Sequence, residues 1–217
     1  MLNKWKLEYL GFGKYQRLKL ASDKINTTGK DLLIGDIGGG DGCLCLFLPN
    51  HRYILVDSST NGIDGINLPF ENKFFDICVS CDTLEHLPKQ QRQKFISQMI
   101  RVSREKVYLI APFGEKAREL ELFYHELTKD PWTKQHLKYN FSTLKEMEDF
   151  LKDKNLSYEI SPYSFIPTHF VIGYLNNYLL IDKPELFKKI NHFFNLTYCD
   201  INRIEPSYGH LIDITIK

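Results

Sequence analysis

Short apolar runs recur along the first half of the chain, and each closes on glycine, proline or an acid. Leu32-Leu33-Ile34 leads into Asp36-Ile37-Gly38-Gly39-Gly40-Asp41-Gly42, and Tyr53-Ile54-Leu55-Val56 closes on Asp57. Phe74 to Ser80 carries one acid, Asp76, and Val107 to Ala111 stops at Pro112. Runs this short with such ends read as buried strands. Strands are therefore expected at 32–36, 53–57, 74–80 and 107–111, with a further short one through 63–67. Helical spacing fills the intervals: 14–27, a short helix after the glycine turn that stops at Pro49-Asn50, and 89–103. In the last of these Phe95, Ile96, Met99, Ile100 and Val102 form an apolar stripe. Strand alternating with helix predicts a parallel sheet with right-handed crossovers.

The second half has a different texture. Residues 115–129 read as a charged amphipathic helix, interrupted at Pro131-Trp132, and the Lys and Glu runs of 115–154 read as a solvated helix face. Ser142 opens another helix running to about Lys154. Strand character returns at 158–165, two helices follow at 168–181 and 184–195, and 208–216 alternates as a closing strand. The fold class predicted is α/β: a doubly wound, mostly parallel sheet with an antiparallel C-terminal edge and helical insertions.

The glycine turn brings chemistry into this frame. Glycine is needed where backbone turns sharply and a ligand approaches closely. Asp57 lies roughly 20 residues beyond, the spacing at which an acid meets ribose hydroxyls. An adenosine-containing cofactor is therefore expected. The turn lacks the G-x-G-x-x-G spacing that brings a helix N-terminus to a pyrophosphate, which argues against a nicotinamide-dependent oxidoreductase. A cofactor without phosphate needs close backbone approach and an acid near an ammonium, a place Asp36 can take.

Charge and composition narrow the partners. The 28 basic and 27 acidic residues nearly cancel, so no field favours nucleic acid or an anionic membrane surface. The five cysteines lie mostly in apolar runs and read as reduced core thiols of a cytoplasmic protein. Cys78-x-x-Cys81 has no second pair at finger spacing, so it reads as core packing and no metal is expected. Met1 to Lys6 lacks the apolar core of a signal peptide. The run Phe170 to Ile181 is broken by Asn176-Asn177 and is too short to span a bilayer.

Five marks, in order, resemble the class I S-adenosylmethionine-dependent methyltransferases, most closely the UbiE-like, methyltransferase type 11 group. They are Asp36-x-Gly38-x-Gly40-x-Gly42; Asp57; Asp64-Gly65-Ile66-Asn67-Leu68-Pro69-Phe70; Phe75-Asp76-Ile77-Cys78-Val79-Ser80; and Asp82-Thr83-Leu84-Glu85-His86-Leu87. They cover roughly residues 32–112. The resemblance implies a seven-stranded Rossmann-like sheet in one methyltransferase domain. That domain would comprise a helical cap (1–30), a cofactor-binding half (31–112) and substrate-side helices with closing strands (113–217). It implies S-adenosyl-L-methionine as cofactor, held by Asp36, Gly38, Gly39, Gly40, Asp57, Ser58, Asp64, Gly65, Cys81 and Asp82.

Several of these have a plainer reading beside the functional one. Asp64 either meets the adenine amino group or caps a turn. Asp82 either lines the methionine end of the cofactor or caps the helix after it. His136 and His86 are the candidate catalytic bases; the first could equally be a satisfied surface histidine, the second a structural hydrogen-bonder. His125 is a weaker candidate. Phe123, Tyr124, Trp132, Tyr139 and Phe141 either wall an acceptor pocket or pack as core. The acceptor expected is a small molecule. A sugar is the narrower expectation, because Tyr15-Gln16-Arg17-Leu18-Lys19, Phe123-Tyr124-His125-Glu126-Leu127, Pro131-Trp132-Thr133-Lys134-Gln135-His136 and Glu205-Pro206-Ser207-Tyr208 are similar to methyltransferases encoded beside surface-glycan genes. The segment 161–180 departs from that group's pattern. The competing reading is a cofactor-binding module without turnover that serves as a partner or regulatory subunit.

Overall fold

The computed structural model describes residue 7, residues 10–29 and residues 31–216. The signal-peptide reading of Met1 to Lys6 and the side chain of Trp132 lie outside the described residues. Helix α1 is Phe12–Thr28, followed by strand β1 at Leu33–Ile37 and β2 at Arg52–Val56. Then come β3 (Phe75–Cys81), α2 (Lys89–Val102) and β4 (Ser103–Pro112). Helices α3 (Gly114–Thr128), α4 (Pro131–Tyr139) and α5 (Leu144–Asp153) precede β5 (Ser157–Phe165). Helices α6 (Ile166–Tyr174) and α7 (Pro184–Thr197) lead to the last strand, β6 (Ser207–Thr215).

The sheet order is β2-β1-β3-β4-β6-β5. The first four strands are parallel, and β6 runs antiparallel between β4 and β5. The antiparallel pairing thus falls on the C-terminal side, as its alternation suggested. Among the described residues the sheet has six strands, not seven. The segment 63–67 forms turns instead, because Asp64 accepts the Ile66 amide and the Asn67 amide bonds the Asp64 carbonyl. Local Asx bonding there competes with a strand ladder.

Side chains alternate across the sheet and build two cores. Val107, Leu109, Ile212 and Ile214 face α2 and α5, against Phe95, Met99, Phe150 and Leu151. Ile77, Val79, Tyr108 and Ile110 face α1, against Leu18, Ala21 and Ile25. Cys78 belongs to the first core and Cys81 to the edge of the second. Three residues apart on a strand, the two thiols point to opposite faces, so the C-x-x-C cannot chelate a metal or close a disulfide.

Three local devices position the second half. Pro131 does not merely interrupt the preceding helix; it begins α4, where its missing N–H costs no hydrogen bond. Thr143, one residue beyond the expected Ser142, caps α5, with Glu146 completing a reciprocal capping box. The freed Ser142 Oγ accepts from Arg92 Nη1 at 3.1 Å. Arg92 is buried, and its Nη2 also reaches the carbonyls of Tyr139 (3.0 Å) and Asn140. That guanidinium fastens the C-terminal end of α4 to α2, which fixes where His136 sits.

Candidate functional site

The carboxyl ends of β1, β2 and β3 open onto three adjoining hollows, where a doubly wound sheet is expected to bind ligand. One, of about 320 Å³, lies between α1 and the glycine turn and is lined by Asp36, Gly38 to Asp41, Arg17 and Cys81. A second, of about 460 Å³, is lined by Asp57, Ser58, Asp64, Gly65, Phe95 and Gln135. The third, of about 520 Å³, opens under α3, α4 and α6. Asp82 lines all three, and His86 lines the second and third. The structure thus brings all ten sequence-named cofactor residues around the first two hollows and both candidate histidines around the third.

The glycine turn is shaped for a ligand. Gly38 has φ +75° and Gly40 φ +58°, the left-handed region that favours glycine. A Cβ at Gly38 would stand 2.4 Å from the Thr83 side chain, and one at Gly39 2.2 Å from the Asp36 carboxylate. At Gly40 a Cβ meets no heavy atom within 4 Å, and Gly40 lines both of the first two hollows. The open face of the turn therefore points at the place a cofactor would fill. Gly65 is required for packing, since a Cβ there would meet the Phe95 ring at 2.6 Å.

Asp36 is almost fully buried and accepts the Tyr53 hydroxyl at 2.6 Å. Burial pushes its carboxyl up to about 7, against the lowering effect of that hydrogen bond, with the charge of Asp57 adding to the rise. Asp57 behaves oppositely. Burial alone would raise it, but bonds from Ser59, Gly40 and Thr60 hold it below the usual carboxylate range. It accepts the Gly40 amide at 2.9 Å and so ties the glycine turn to the end of β2. Asp64 is exposed and its carboxylate accepts the Ile66 amide, as a turn cap, while it also borders the second hollow.

Asp82 does not cap the following helix. Its backbone is left-handed, φ +50°, its amide bonds the Ile110 carbonyl, and its carboxylate is pinned by Arg17 at 3.0 Å and by the Tyr163 hydroxyl at 2.9 Å. A strained backbone held by three partners at a strand end is a frequent feature of ligand sites. The Arg17 pair also draws α1 across the mouth of the first hollow, as does the Lys14–Asp41 pair.

The two histidines come from different elements and meet edge to face, with ring centroids 4.7 Å apart. His136 Nδ1 lies 3.1 Å from Glu121 Oε2, and Glu121 Oε1 accepts the Tyr208 hydroxyl at 2.6 Å. His86 Nδ1 lies 3.1 Å from Gln135 Oε1. With a carboxylate and an amide oxygen as partners, both Nδ1 atoms donate, leaving Nε2 as the lone-pair nitrogen of each ring. Burial, followed by the neighbouring His136, holds His86 below its usual pKa, which keeps it neutral near pH 7.

Sequence reasoning missed several residues here. Glu121 was read with the solvated charges of 115–154, yet it is 5 % exposed. A signal existed: α3 buries Ala117, Leu120, Glu121 and Tyr124, so Glu121 stands on the apolar stripe. Glu85, Arg17, Tyr53, Tyr163 and His169 gain their places only through tertiary contact. His169 stacks on Tyr208 at 4.0 Å and accompanies it in the wall of the third hollow. Of the aromatics named from sequence, Tyr124 lines that hollow, while Phe141 is core and Phe123 is half exposed. His125 pairs with Thr133, bracing α3 against α4.

A Rossmann-like sheet with its glycine turn, strand-end acids and adjoining hollows defines the class I S-adenosylmethionine-dependent methyltransferase architecture. Residues 35–111 match the family model described as a methyltransferase domain. Over these residues the chain therefore matches a methyltransferase domain. No curated protein sequence is close enough to match. Solved structures show the same fold. A Bacillus subtilis protein, YcgJ, is 18 % identical with a TM-score of 0.56, over 94 % of this chain and 99 % of that one. The plantazolicin methyltransferase BpumL, bound to S-adenosylhomocysteine and a triazolic desmethyl analogue, is 14 % identical with a TM-score of 0.61, over 98 % and 88 %. Phosphoethanolamine N-methyltransferase 2 of Haemonchus contortus, with S-adenosyl-L-methionine, is 16 % identical with a TM-score of 0.57, over 92 % of this chain and 52 % of its own. Among the described residues no helix is long and apolar enough to cross a membrane.

Proposed function

We infer that this chain is an S-adenosylmethionine-dependent methyltransferase acting on a small polar acceptor, with a sugar as the narrower candidate. The observation that carries the reading is the third hollow, which joins the other two at Asp82. Its volume suits one compact molecule. Its lining mixes carboxylates and hydroxyls (Glu121, Asp130, Thr133) with the stacked rings of His169 and Tyr208, a composition that can bind hydroxyl groups and cover a ring face. Residues 31–112 serve as the cofactor half and 113–217 as the substrate side, with 10–29 closing over the methionine end.

The cofactor supplies an electrophilic sulfonium methyl and a good leaving group. The protein's task is therefore mostly position and exclusion of water. Asp57 and Asp64 would meet the ribose and adenine, and Asp36 and the Gly38–Gly40 backbone the methionine end. Arg17 and Tyr163 hold Asp82 at the junction. An acceptor hydroxyl that keeps its proton until attack needs a base. The Nε2 atom of His136, oriented by Glu121, and that of neutral His86 stand in the acceptor hollow for that role.

The test is release of S-adenosylhomocysteine from S-adenosylmethionine across a panel of sugars, nucleotide sugars, amines and short peptides. Turnover with a sugar and not with the amines or peptides is expected. His136→Ala should lower that turnover at least tenfold while S-adenosylhomocysteine affinity stays within about 0.5 kcal/mol, the scatter for a site away from that ligand. Tight cofactor binding without release over the whole panel would favour the competing reading of a non-catalytic module.

A further inference from the structure

The junction between the cofactor and acceptor hollows holds a group of side chains that acid–base chemistry alone does not account for. Glu85, His86 and His136 each offer one ligand atom, and these atoms all lie within 4.8 Å of one another. Glu85 is 3 % exposed. Its Oε2 is buried with no hydrogen-bond partner among the described residues, and so is His136 Nε2. Both residues line the acceptor hollow. A buried carboxylate oxygen and a buried imidazole nitrogen without partners are costly to keep unless something else meets them.

The surroundings of both rings suit a cation. His136 donates Nδ1–H to Glu121, which in turn receives the Tyr208 hydroxyl, and His86 donates Nδ1–H to Gln135. Metal-binding histidines are held in this way: a carboxylate or carbonyl fixes the tautomer and turns the other nitrogen toward the ion. The donor set is two imidazoles and one carboxylate, which suits a divalent first-row transition ion and leaves coordination positions open. Ligands bound at about 2.0–2.2 Å stand no more than about 4.3 Å apart, so a closure of about half an ångström is needed. The carboxylates of Asp82 and Glu121 add negative potential beside the ion.

We propose that Glu85, His86 and His136 bind one divalent transition-metal ion at the mouth of the acceptor hollow, with its open positions facing the acceptor's oxygen atoms. The proposal rests on the methyltransferase reading for its purpose but not for its geometry. The ion would hold a hydroxyl or vicinal diol against the methyl group and acidify it, so that its proton passes to solvent water before the oxygen bonds the methyl carbon and the sulfonium C–S bond breaks to release S-adenosylhomocysteine.

The test uses the full chain, stripped of metal with a chelator and then titrated with Co²⁺ alone, with no cofactor or acceptor present. One equivalent should bind, with the intense visible absorption of a low-symmetry cobalt site, and Zn²⁺ should displace it while Mg²⁺ should not. His136→Ala, His86→Asn and Glu85→Gln should each weaken Co²⁺ binding at least tenfold. Glu85 is buried and its variant could fail to fold, so circular dichroism accompanies each titration and the two histidine variants carry the result without it. S-adenosylhomocysteine affinity should remain within about twofold in His136→Ala, whose side chain lines the acceptor hollow alone. No stoichiometric Co²⁺ binding, or binding unchanged in both histidine variants, overturns the proposal. Loss of S-adenosylhomocysteine binding in the parent chain would instead sink the methyltransferase reading and leave the metal result standing.

Discussion

At the scale of single residues, the two acids of the cofactor hollows are set against each other by their surroundings. Burial lifts the Asp36 carboxyl to about 7. Its folded pKa exceeds its unfolded value of 3.8, so the folded chain binds the extra proton between those limits. Its contribution to stability is present below the unfolded pKa and is lost as pH rises through about 7. A cofactor ammonium favours the carboxylate, so binding should release a proton. S-adenosylhomocysteine affinity should therefore rise from about pH 6 to 8, by up to about tenfold per unit below the pKa. Calorimetry in two buffers of different ionisation enthalpy reads the proton directly; a flat profile, equal to that of Asp36→Asn, would remove Asp36 from the site. Asp57 titrates the other way: its depressed pKa contributes stability that is lost as pH falls through the folded value. Asp57→Ala should weaken S-adenosylhomocysteine binding by about 1.5–3 kcal/mol. It should also lower apo thermal stability, because the Gly40, Ser59 and Thr60 amides lose their acceptor. Unchanged affinity with lowered stability would make Asp57 structural only.

At the scale of elements, the glycine turn separates shape from binding. Gly38 and Gly40 both hold positive φ, which costs an L-residue about 1–2 kcal/mol. Only Gly38 also abuts a side chain, that of Thr83. Gly38→Ala should lose both stability and cofactor affinity. Gly40→Ala should lose little beyond the backbone strain, yet bind S-adenosylhomocysteine at least tenfold more weakly, since its Cβ enters the space between the cofactor hollows. Denaturant unfolding beside calorimetry reads the two effects, and parent-like affinity in Gly40→Ala would place the cofactor elsewhere. The pattern 63–67 misled because its apolar residues, Ile63 and Ile66, pack on the core from a turn. Alternation records burial, not strand pairing, and here Asp64 takes the backbone bonds a strand would need.

At the scale of the whole molecule, a cofactor seated in the first two hollows would bridge α1, the glycine turn and the loop after β3, so its binding should stiffen the fold globally. S-adenosylhomocysteine at about 100 times its Kd should stabilise by about 2.7 kcal/mol. For a chain of this size that is a rise in Tm of about 5–10 °C. NAD at the same concentration should give none, because the turn offers no helix N-terminus to a pyrophosphate: the helix after it is a five-residue 3₁₀ turn, Cys43–Phe47. A larger shift with NAD would overturn the cofactor assignment.

The cofactor half was legible in the linear chain because its determinants are local. A glycine turn, an acid ending a strand and the period of apolar residues all act within a few positions of themselves, and they carry the α/β class and the ten residues that line the first two hollows. The acceptor side was not legible. Glu121 meets His136 across 15 residues, His86 meets Gln135 across 49 and Arg17 meets Asp82 from another helix. The identity of each partner depends on how α3 and α4 pack over the sheet, which no local pattern encodes. The sequence by itself determined which residues could carry charge and turn the chain; only the tertiary structure decided that Glu85, His86 and His136 share one point in space.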